Sequence, residues 1–286
     1  MNSAVKPGRI EEITSTANPR IKSIKALALK KNRDADGLFL AEGEKLAHDA
    51  LSSGWVIRNL LFSKRLMEAD ETRQRIEALA VKARARGGDV LITTDKILTS
   101  ITRRDNPQAV IVVMEQKIDQ VDSVKVADNI TWLALDRVRD PGNLGTIIRT
   151  ADALGVTGIL LVGETTDPFA IEAVRATMGS LFHVPLVRQT EEEFLTLAGR
   201  WKSNGGQVVG THLKGSTDHR LIDYATGPQL ILMGNEQQGL TDELAACCSS
   251  LARIAMSGEA DSLNLAVATG IMLFEVRRHA LKPSDT

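Results

Sequence analysis

The stretch that decides the fold of this chain is DRVRDPGNLGTIIRTADALG, residues 136–155, which follows the apolar run ITWLAL. An apolar run, a turn through Asp-Pro-Gly-Asn and a segment with an apolar stripe predict a strand, a tight turn and a helix over 144–154. Arg149 lies off that stripe. Two interpretations stay open for the stretch alone: Asn143 and Arg149 meet a ligand, or Asn143 is the helix N-cap and Arg149 pairs with Asp152.

The pattern of strand, turn and helix continues from this stretch to the C-terminus. Further apolar runs lie at 158–163, 183–187, 206–213, 229–234 and 252–256. These runs are apolar throughout, which is typical of parallel strands that are covered by helices on both faces. The fold class is therefore α/β, and residues 129–286 are predicted to form an open parallel sheet with helices on both faces.

The N-terminal part, residues 1–118, is predicted to be a smaller α/β domain, because strands and helices alternate there as well. It opens with a predicted helix that begins after Asn18, continues through Lys31 and has an apolar stripe of Ile21, Ile24, Leu27 and Ala28. Residues 119–128 contain few apolar side chains and are predicted to be a linker. The first ten residues and the C-terminal KPSDT are predicted to be mobile.

Positive charge is concentrated near the N-terminus, although the whole chain has a formal net charge of −1. The first 33 residues contain eight Lys and Arg side chains against two Glu. This cluster indicates either a nucleic-acid contact or a solvated helix face, and both interpretations stay open. The side chains predicted to contact RNA phosphates are Lys22, Lys25, Lys30, Lys31 and Arg33.

Several function classes lack their sequence signals. No apolar run approaches the roughly 20 residues of a membrane span, and no secretory signal is visible, so a cytoplasmic location is expected. The adjacent Cys247 and Cys248 lack metal-ligand spacing and are predicted to be small buried residues. The five histidines are scattered, and no metal is expected. The glycine spacing of a dinucleotide-binding oxidoreductase is also missing from DPGNLG.

Two more turns follow predicted strands in the C-terminal domain. In LILMGNEQQGL, residues 230–240, Glu236 lies in a turn bounded by two glycines. In ARIAMSGEADSLNLAVATGIMLFEVRR, residues 252–278, Ser262 is the predicted N-cap of a helix with Asn264 in its first turn. Solvation of the glutamate and plain capping are the alternatives to function. Because ligands of open parallel sheets bind outside the carboxyl ends of the strands, the three turns are expected to converge.

As a set, DPGNLGTIIRTADALG, LILMGNEQQGL and IAMSGEADSLNLAVATGIMLFE resemble the three motifs of the TrmH/SpoU branch of the SPOUT methyltransferases. AVRATMGSLFHVPL, residues 173–186, is similar to the intermediate segment of that family. The N-terminal NPRIKSI and FLAEGEKLAHDAL are similar to its substrate-binding domain, which is related to ribosomal protein L30e. The chain departs from the family at Ala255, where proline is usual, and at Gln237, where glycine is usual.

The resemblance implies an RNA (ribose-2′-O)-methyltransferase that acts on structured RNA with S-adenosyl-L-methionine as methyl donor. Ribosomal RNA is the expected substrate because of the extra N-terminal domain. The alternatives are a tRNA 2′-O-methyltransferase and a non-catalytic RNA-binding protein that keeps the SPOUT fold. The resemblance also implies a deep trefoil knot in the C-terminal domain and a homodimer through that domain, in which two subunits complete the site.

The site residues follow from the same resemblance. The implied catalytic set is Arg149, Asn143, Glu236, Ser262 and Asn264. The implied cofactor-binding set is Thr211, His212, Leu213, Gly234, Ile254, Met256 and Leu263. Because arginine stays protonated at neutral pH, Arg149 is expected to stabilise negative charge that develops on the 2′-oxygen and to anchor a phosphate, rather than to act as a base.

Overall fold

The structure is a computed structural model. The residues it describes are 6–68, 70–102, 108–213 and 215–281. Contacts divide them into two compact units. The first unit comprises the chain up to Gln116 together with Phe169–Phe182, and the second comprises Lys117–Pro168 and the chain from His183 onward.

Strands and helices alternate along most of the chain, as predicted. The strands are β1 (Ile10–Glu12), β2 (Leu38–Glu42), β3 (Ile57–Ser63), β4 (Asp89–Thr93), β5 (Val110–Glu115), β6 (Thr131–Asp136), β7 (Gly158–Val162), β8 (Leu186–Gln189), β9 (Gln207–Thr211), β10 (Thr217–Asp218), β11 (Gln229–Met233) and β12 (Ser250–Arg253). The helices are α1 (Pro19–Ala26), α2 (Lys30–Asp36), α3 (Glu44–Ser52), α4 (Asp70–Ala85), α5 (Asp95–Thr102), α6 (Pro141–Ala153), α7 (Ile171–Thr177), α8 (Glu191–Ser203), α9 (Asp242–Cys247) and α10 (Leu265–Arg277).

The sheet of the first unit has the order β1-β4-β3-β5-β2. β1, β4 and β3 run parallel, whereas β5 is antiparallel to both β3 and β2. Ile21, Ile24 and Leu27 pack into its core, which confirms the predicted apolar stripe. β1 was not predicted, and its pairing with β4 begins at Ile10, the last of the ten residues expected to be mobile. The mobility of the residues before Ile10 stays a prediction. The KPSDT tail lies outside the described residues.

The segment predicted to be the first helix forms two helices, α1 and α2, because the helix is interrupted between Ala26 and Lys30. The carbonyl groups freed by this break accept hydrogen bonds from side chains on α2. Arg33 Nη1 donates to the carbonyls of Leu27 and Ala28 at 2.8 and 3.0 Å. These bonds bury Arg33, whose exposed fraction is 5%.

The segment Phe169–Phe182 groups with the first unit, whereas the sequence-based boundaries assign it to the C-terminal domain. Aromatic packing explains the grouping, since the Phe169 ring lies 4.8 Å from that of Phe39 and the Phe182 ring 5.3 Å from that of Trp55. The domain boundaries at 118 and 129 stay a prediction.

The second unit contains the predicted open parallel sheet, with the order β10-β12-β9-β11-β6-β7-β8 and all neighbours parallel. Trp132 and Ala134 of β6 pack on one face with residues of α8, while Leu133 and Leu135 are equally buried on the other face. Both faces are therefore covered. Within the predicted linker, Val124 is buried in this core. The trefoil knot stays a prediction.

None of the helices in the described part of the chain combines the length and the apolar character that crossing a membrane requires.

Candidate active site

A cavity of about 760 Å³ lies at the carboxyl ends of three neighbouring strands, β9, β11 and β12. Parallel strands bring their carboxyl ends to one edge of the sheet, so the segments that follow these strands meet there. The volume lies within the roughly 300–1,000 Å³ that is usual for small-molecule sites. The seven residues predicted to bind a cofactor all line it: Thr211, His212, Leu213, Gly234, Ile254, Met256 and Leu263. Their role in binding stays a prediction.

The loop after β11 folds back on the end of its own strand. A β-carbon at Gly234 would lie 2.8 Å from the carbonyl carbon of Gly239 and 2.8 Å from the nitrogen of Leu240, so only glycine fits. The two ends of the loop are joined by backbone hydrogen bonds of 3.2 and 3.0 Å between Asn235 and Gly239. Gly239 has a φ of +69°, a conformation that glycine adopts at little cost. The loop is thus closed, with Glu236 on it facing the cavity.

Three of the predicted catalytic side chains form a hydrogen-bonded series across the three turns. Asn264 Nδ2 donates to Asn143 Oδ1 at 2.9 Å, and Asn143 Nδ2 lies 3.5 Å from Glu236 Oε1. The other carboxylate oxygen, Glu236 Oε2, is buried and accepts no hydrogen bond from any described residue. A buried carboxylate oxygen without a donor costs free energy, so this atom is available to a ligand or to another donor.

The helix caps differ from the predicted ones by a few residues. Asp140, not Asn143, is the N-cap of α6, and its Oδ1 accepts the backbone N–H of Asn143 at 2.6 Å. Asn264, not Ser262, is the N-cap of α10, and its Oδ1 accepts the N–H of Ala266 at 2.9 Å. The reason at α6 is Pro141, which lacks an N–H and suits the first helical position, so the preceding aspartate becomes the cap. Ser262 lies before α10, exposed, on the cavity wall.

Arg149 is exposed on α6 and does not line the cavity of its own chain. At about 100° per residue, six positions turn the helix by some 240° beyond one full turn, so Arg149 and Asn143 leave α6 in different directions. The alternative pairing with Asp152 is wrong, because Asp152 Oδ2 lies 3.3 Å from His183 Nδ1 instead. Among the described residues, no carboxylate lies within ion-pair distance of Arg149.

An apolar stripe is exposed on α10, which packs against α6. Val267 and Phe274 are seven positions apart, hence on one helix face, and their exposed fractions are 52% and 59%. Ile271 lies between them, half-buried. The sequence from Leu265 to Val276 is apolar nearly all round, which predicts that this helix is buried in a core or in a subunit interface. The inner face of the helix is buried in the core, whereas this stripe is exposed.

An ion pair that was not predicted lies at the end of β6, next to the loop Asn235–Gly239 after β11, which we call the cavity loop. Asp136 is 1% exposed, and Arg137 Nε and Nη2 donate to its two oxygens at 2.8 and 2.9 Å. The hydrogen bonds to Asp136 raise the pKa of Arg137. Arg137 Nη1 also donates to Gln238 Oε1, at 3.1 Å. The sequence signal that could have revealed this ion pair is the charged pair Asp136 and Arg137 at the end of an apolar run.

The predicted RNA-contacting side chains of the first unit are not equivalent. Lys22, Lys30 and Lys31 are exposed, and Lys25 is half-buried. Arg33 is buried on backbone carbonyls, so the expectation that it contacts a phosphate does not fit its position. Within the described ranges, no group of three or more His, Cys, Asp and Glu side chains is arranged to hold a metal ion.

Two family models match the chain. The model of the SpoU rRNA Methylase family matches residues 131–274, and that of the MRM3-like substrate binding domain matches residues 18–112.

Individual proteins match over nearly the whole length. The 23S rRNA (guanosine(2553)-2′-O)-methyltransferase RlmP of Bacillus subtilis is 30% identical, over 94% of this chain and 100% of that protein. The 23S rRNA (uridine(2479)-2′-O)-methyltransferase of Streptomyces viridochromogenes is 31% identical, over 93% of this chain and 92% of that protein. A crystal structure of AdoMet-bound rRNA methyltransferase from Sinorhizobium meliloti superposes with a TM-score of 0.88 and 53% identity, over 96% of this chain and 99% of that chain.

Proposed function

This chain belongs to the SpoU rRNA methylase family, and on that premise we propose that it is an RNA (ribose-2′-O)-methyltransferase acting on ribosomal RNA. The proposed reaction moves the methyl group of S-adenosylmethionine to a ribose 2′-hydroxyl. The observation that carries the proposal is the position of the Asn264–Asn143–Glu236 series beside a cavity built from three strand ends. A cytoplasmic location is part of the proposal and stays a prediction.

The cavity fits S-adenosylmethionine by its chemistry as well as by its size. Backbone groups at the ends of β9, β11 and β12 can read the edge of an adenine, and Ile254, Met256 and Leu263 offer apolar contacts to its faces. Gly234 itself lines the cavity, and without a side chain it presents only backbone there. The cofactor supplies a methyl group on a positively charged sulfur, which is a good leaving group.

The chain's own residues then have to align the 2′-hydroxyl and to favour charge on its oxygen. Asn143 is held from both sides, by Asn264 and Glu236, so its amide is fixed in one orientation. We assign to Asn143 and Ser262 the orientation of the ribose, and to Glu236 Oε2 the acceptance of a hydrogen bond from the substrate or from an arginine. Alignment of this kind can contribute about 7–11 kcal/mol to catalysis in favourable cases.

Arg149 is proposed to serve the cavity of a second subunit, because it does not line the cavity of its own. The exposed apolar stripe of α10 supports a homodimer through this face, since α10 packs against the helix that carries Arg149. In the dimer its guanidinium stabilises the developing negative charge on the 2′-oxygen. The exposed lysines of the N-terminal unit are proposed to hold phosphates of the RNA.

The reaction is tested by mapping 2′-O-methyl groups in ribosomal RNA from cells with and without the gene. Purified enzyme should then methylate unmodified ribosomal RNA at the missing position. Calorimetry should detect binding of S-adenosylmethionine. The assignment would be refuted if the protein did not bind S-adenosylmethionine and if ribosomal RNA from cells without the gene kept all its 2′-O-methyl groups.

The shared site is tested by subunit mixing. Arg149→Ala and Glu236→Gln proteins should each be nearly inactive, and a mixture should recover activity, because one cavity of the mixed dimer then has an intact Glu236 and a partner Arg149. If Arg149 served its own cavity, no mixed dimer would contain an intact site and the mixture would stay inactive.

A further inference from the structure

Arg137 has a backbone conformation that residues with a side chain rarely adopt. Its φ is +45°, and only three non-glycine residues of the described chain have a positive φ. Such positions persist where the surrounding structure fixes them, and they are common at functional sites. Here the Arg137 N–H donates to the carbonyl of Val162 at 2.9 Å, and its own carbonyl accepts from Asn235 Nδ2 at 2.9 Å. The backbone of Arg137 therefore joins β7 to the first residue of the cavity loop.

The side chain of Arg137 reaches the other end of the same loop. Two of its nitrogens bind the buried Asp136, and this leaves Nη1 directed at Gln238 Oε1, 3.1 Å away. Nη2 also lies 3.5 Å from the carbonyl of Gly239. Arg137 thus holds both ends of the loop that carries Glu236 at its second position.

We propose that Arg137 is a positioning residue for methyl transfer, which holds the loop Asn235–Gly239 so that the Glu236 carboxylate faces Asn143. The proposal rests on the proposed function, because it deepens the role of that site. Asp136 fixes the guanidinium as a rigid fork, and the fork fixes the loop. The 3.5 Å separation of Asn143 Nδ2 and Glu236 Oε1 leaves little tolerance, because a further shift of the loop would end this contact.

A plainer role is that Arg137 only neutralises the buried charge of Asp136. Lysine separates the two roles, because it keeps the positive charge but cannot donate to a carboxylate and to a glutamine in the geometry of the guanidinium fork. If neutralisation is all that matters, Arg137→Lys should behave like the wild type. If positioning matters, Arg137→Lys should remain folded and still lose activity.

The loop itself provides a readout that needs no turnover. Its amide protons on Gln237 and Gln238 are bonded to Asn235 Oδ1, and that of Gly239 to the Asn235 carbonyl. In Arg137→Met these amides should exchange with deuterium about tenfold faster or more. Arg200→Met is the matched control, since Arg200 donates to the Val124 carbonyl at 3.3 Å and does not line the cavity. It should leave exchange in the loop unchanged.

Kinetics on the full-length protein complete the test. Arg137→Met should lower kcat about 10- to 100-fold, as expected for misplaced catalytic groups, and should change the Kd of S-adenosylmethionine less, because the segments that follow β9 and β12 also line the cavity. In a Glu236→Gln background, the same substitution should lower kcat by less than about threefold, because the effects of coupled residues are not additive.

Three outcomes would each overturn the proposal: full additivity of the Arg137 and Glu236 effects on kcat, wild-type behaviour of Arg137→Lys, or unchanged amide exchange in the loop. A wild-type protein that methylates no ribosomal RNA would refute the proposed function instead, while the exchange experiment would still measure the hold of Arg137 on the loop.

Discussion

Replacement of Gly234 by alanine tests the cavity at its tightest point. The added β-carbon would lie 2.8 Å from two backbone atoms, the carbonyl carbon of Gly239 and the nitrogen of Leu240. Carbon atoms in favourable contact are about 3.5–4.0 Å apart, so the loop has to move by the better part of 1 Å. Overpacking of this kind costs about 1–3 kcal/mol. If the loop must return to its native position when the cofactor binds, the same energy weakens binding by about 5- to 150-fold.

Calorimetry with S-adenosylmethionine and thermal unfolding should be measured on the same preparation of Gly234→Ala. The two results are linked, because a loop that stays strained lowers the unfolding free energy, whereas a loop that relaxes lowers the affinity. The control is Gly199→Ala in the middle of α8, where a β-carbon meets nothing within 4 Å. It should stabilise the protein by about 0.5–1 kcal/mol and leave the affinity unchanged. A Gly234→Ala protein with wild-type stability and wild-type affinity would refute the described geometry of the loop.

Three further predictions concern charge. Arg149→Ala should slow single-turnover methylation at saturating RNA about 10²-fold or more, as loss of a group that stabilises transition-state charge does; a near wild-type rate would exclude it from catalysis. Lys22→Glu together with Lys31→Glu should weaken RNA binding and reduce the magnitude of the slope of log K against log salt concentration by about one to two. An unchanged slope would assign these lysines to a solvated surface. Cys247 should be alkylated by iodoacetamide before Cys248 in mass spectrometry across pH 6 to 9, because the adjacent Cys248 thiol lowers the pKa of Cys247, whereas the adjacent Cys247 and burial raise the pKa of Cys248. Equal rates would contradict these directions.

The part of the fold that the sequence predicts well is the part that long apolar runs specify. Six of the seven strands in the sheet of the second unit follow from runs that are apolar on both faces, and such runs have few alternatives to a covered parallel sheet. The convergence of the three turns then follows from strand direction alone, since parallel strands end at one edge. The short strands β1 and β10 carry no comparable signal, because two or three residues show no period.

Local bonds between distant residues could not be predicted from the sequence. The break between α1 and α2 depends on carbonyls that Arg33 satisfies from the next helix, which turns a predicted phosphate contact into a buried structural residue. Arg137 is similar, since its role depends on the loop about 100 positions away along the chain. In both cases an arginine side chain reaches backbone or side-chain oxygens whose positions only the folded chain determines.

The sequence leaves open whether an asparagine near a helix start caps the helix or serves the site. Asn264 both caps α10 and contacts a site residue. A carboxamide has an acceptor end and a donor end. Its Oδ1 accepts the N–H groups of Ala266 and Val267 and so caps α10, while its Nδ2 donates to Asn143 Oδ1 at the start of α6. Serine or aspartate could cap the helix equally well, but neither would keep an amide donor beside Asn143. The bond to Asn143 therefore requires an asparagine at this site, whereas the start of α10 determines where that asparagine lies. An ordinary helix cap thus also aligns the turn that carries Asn143.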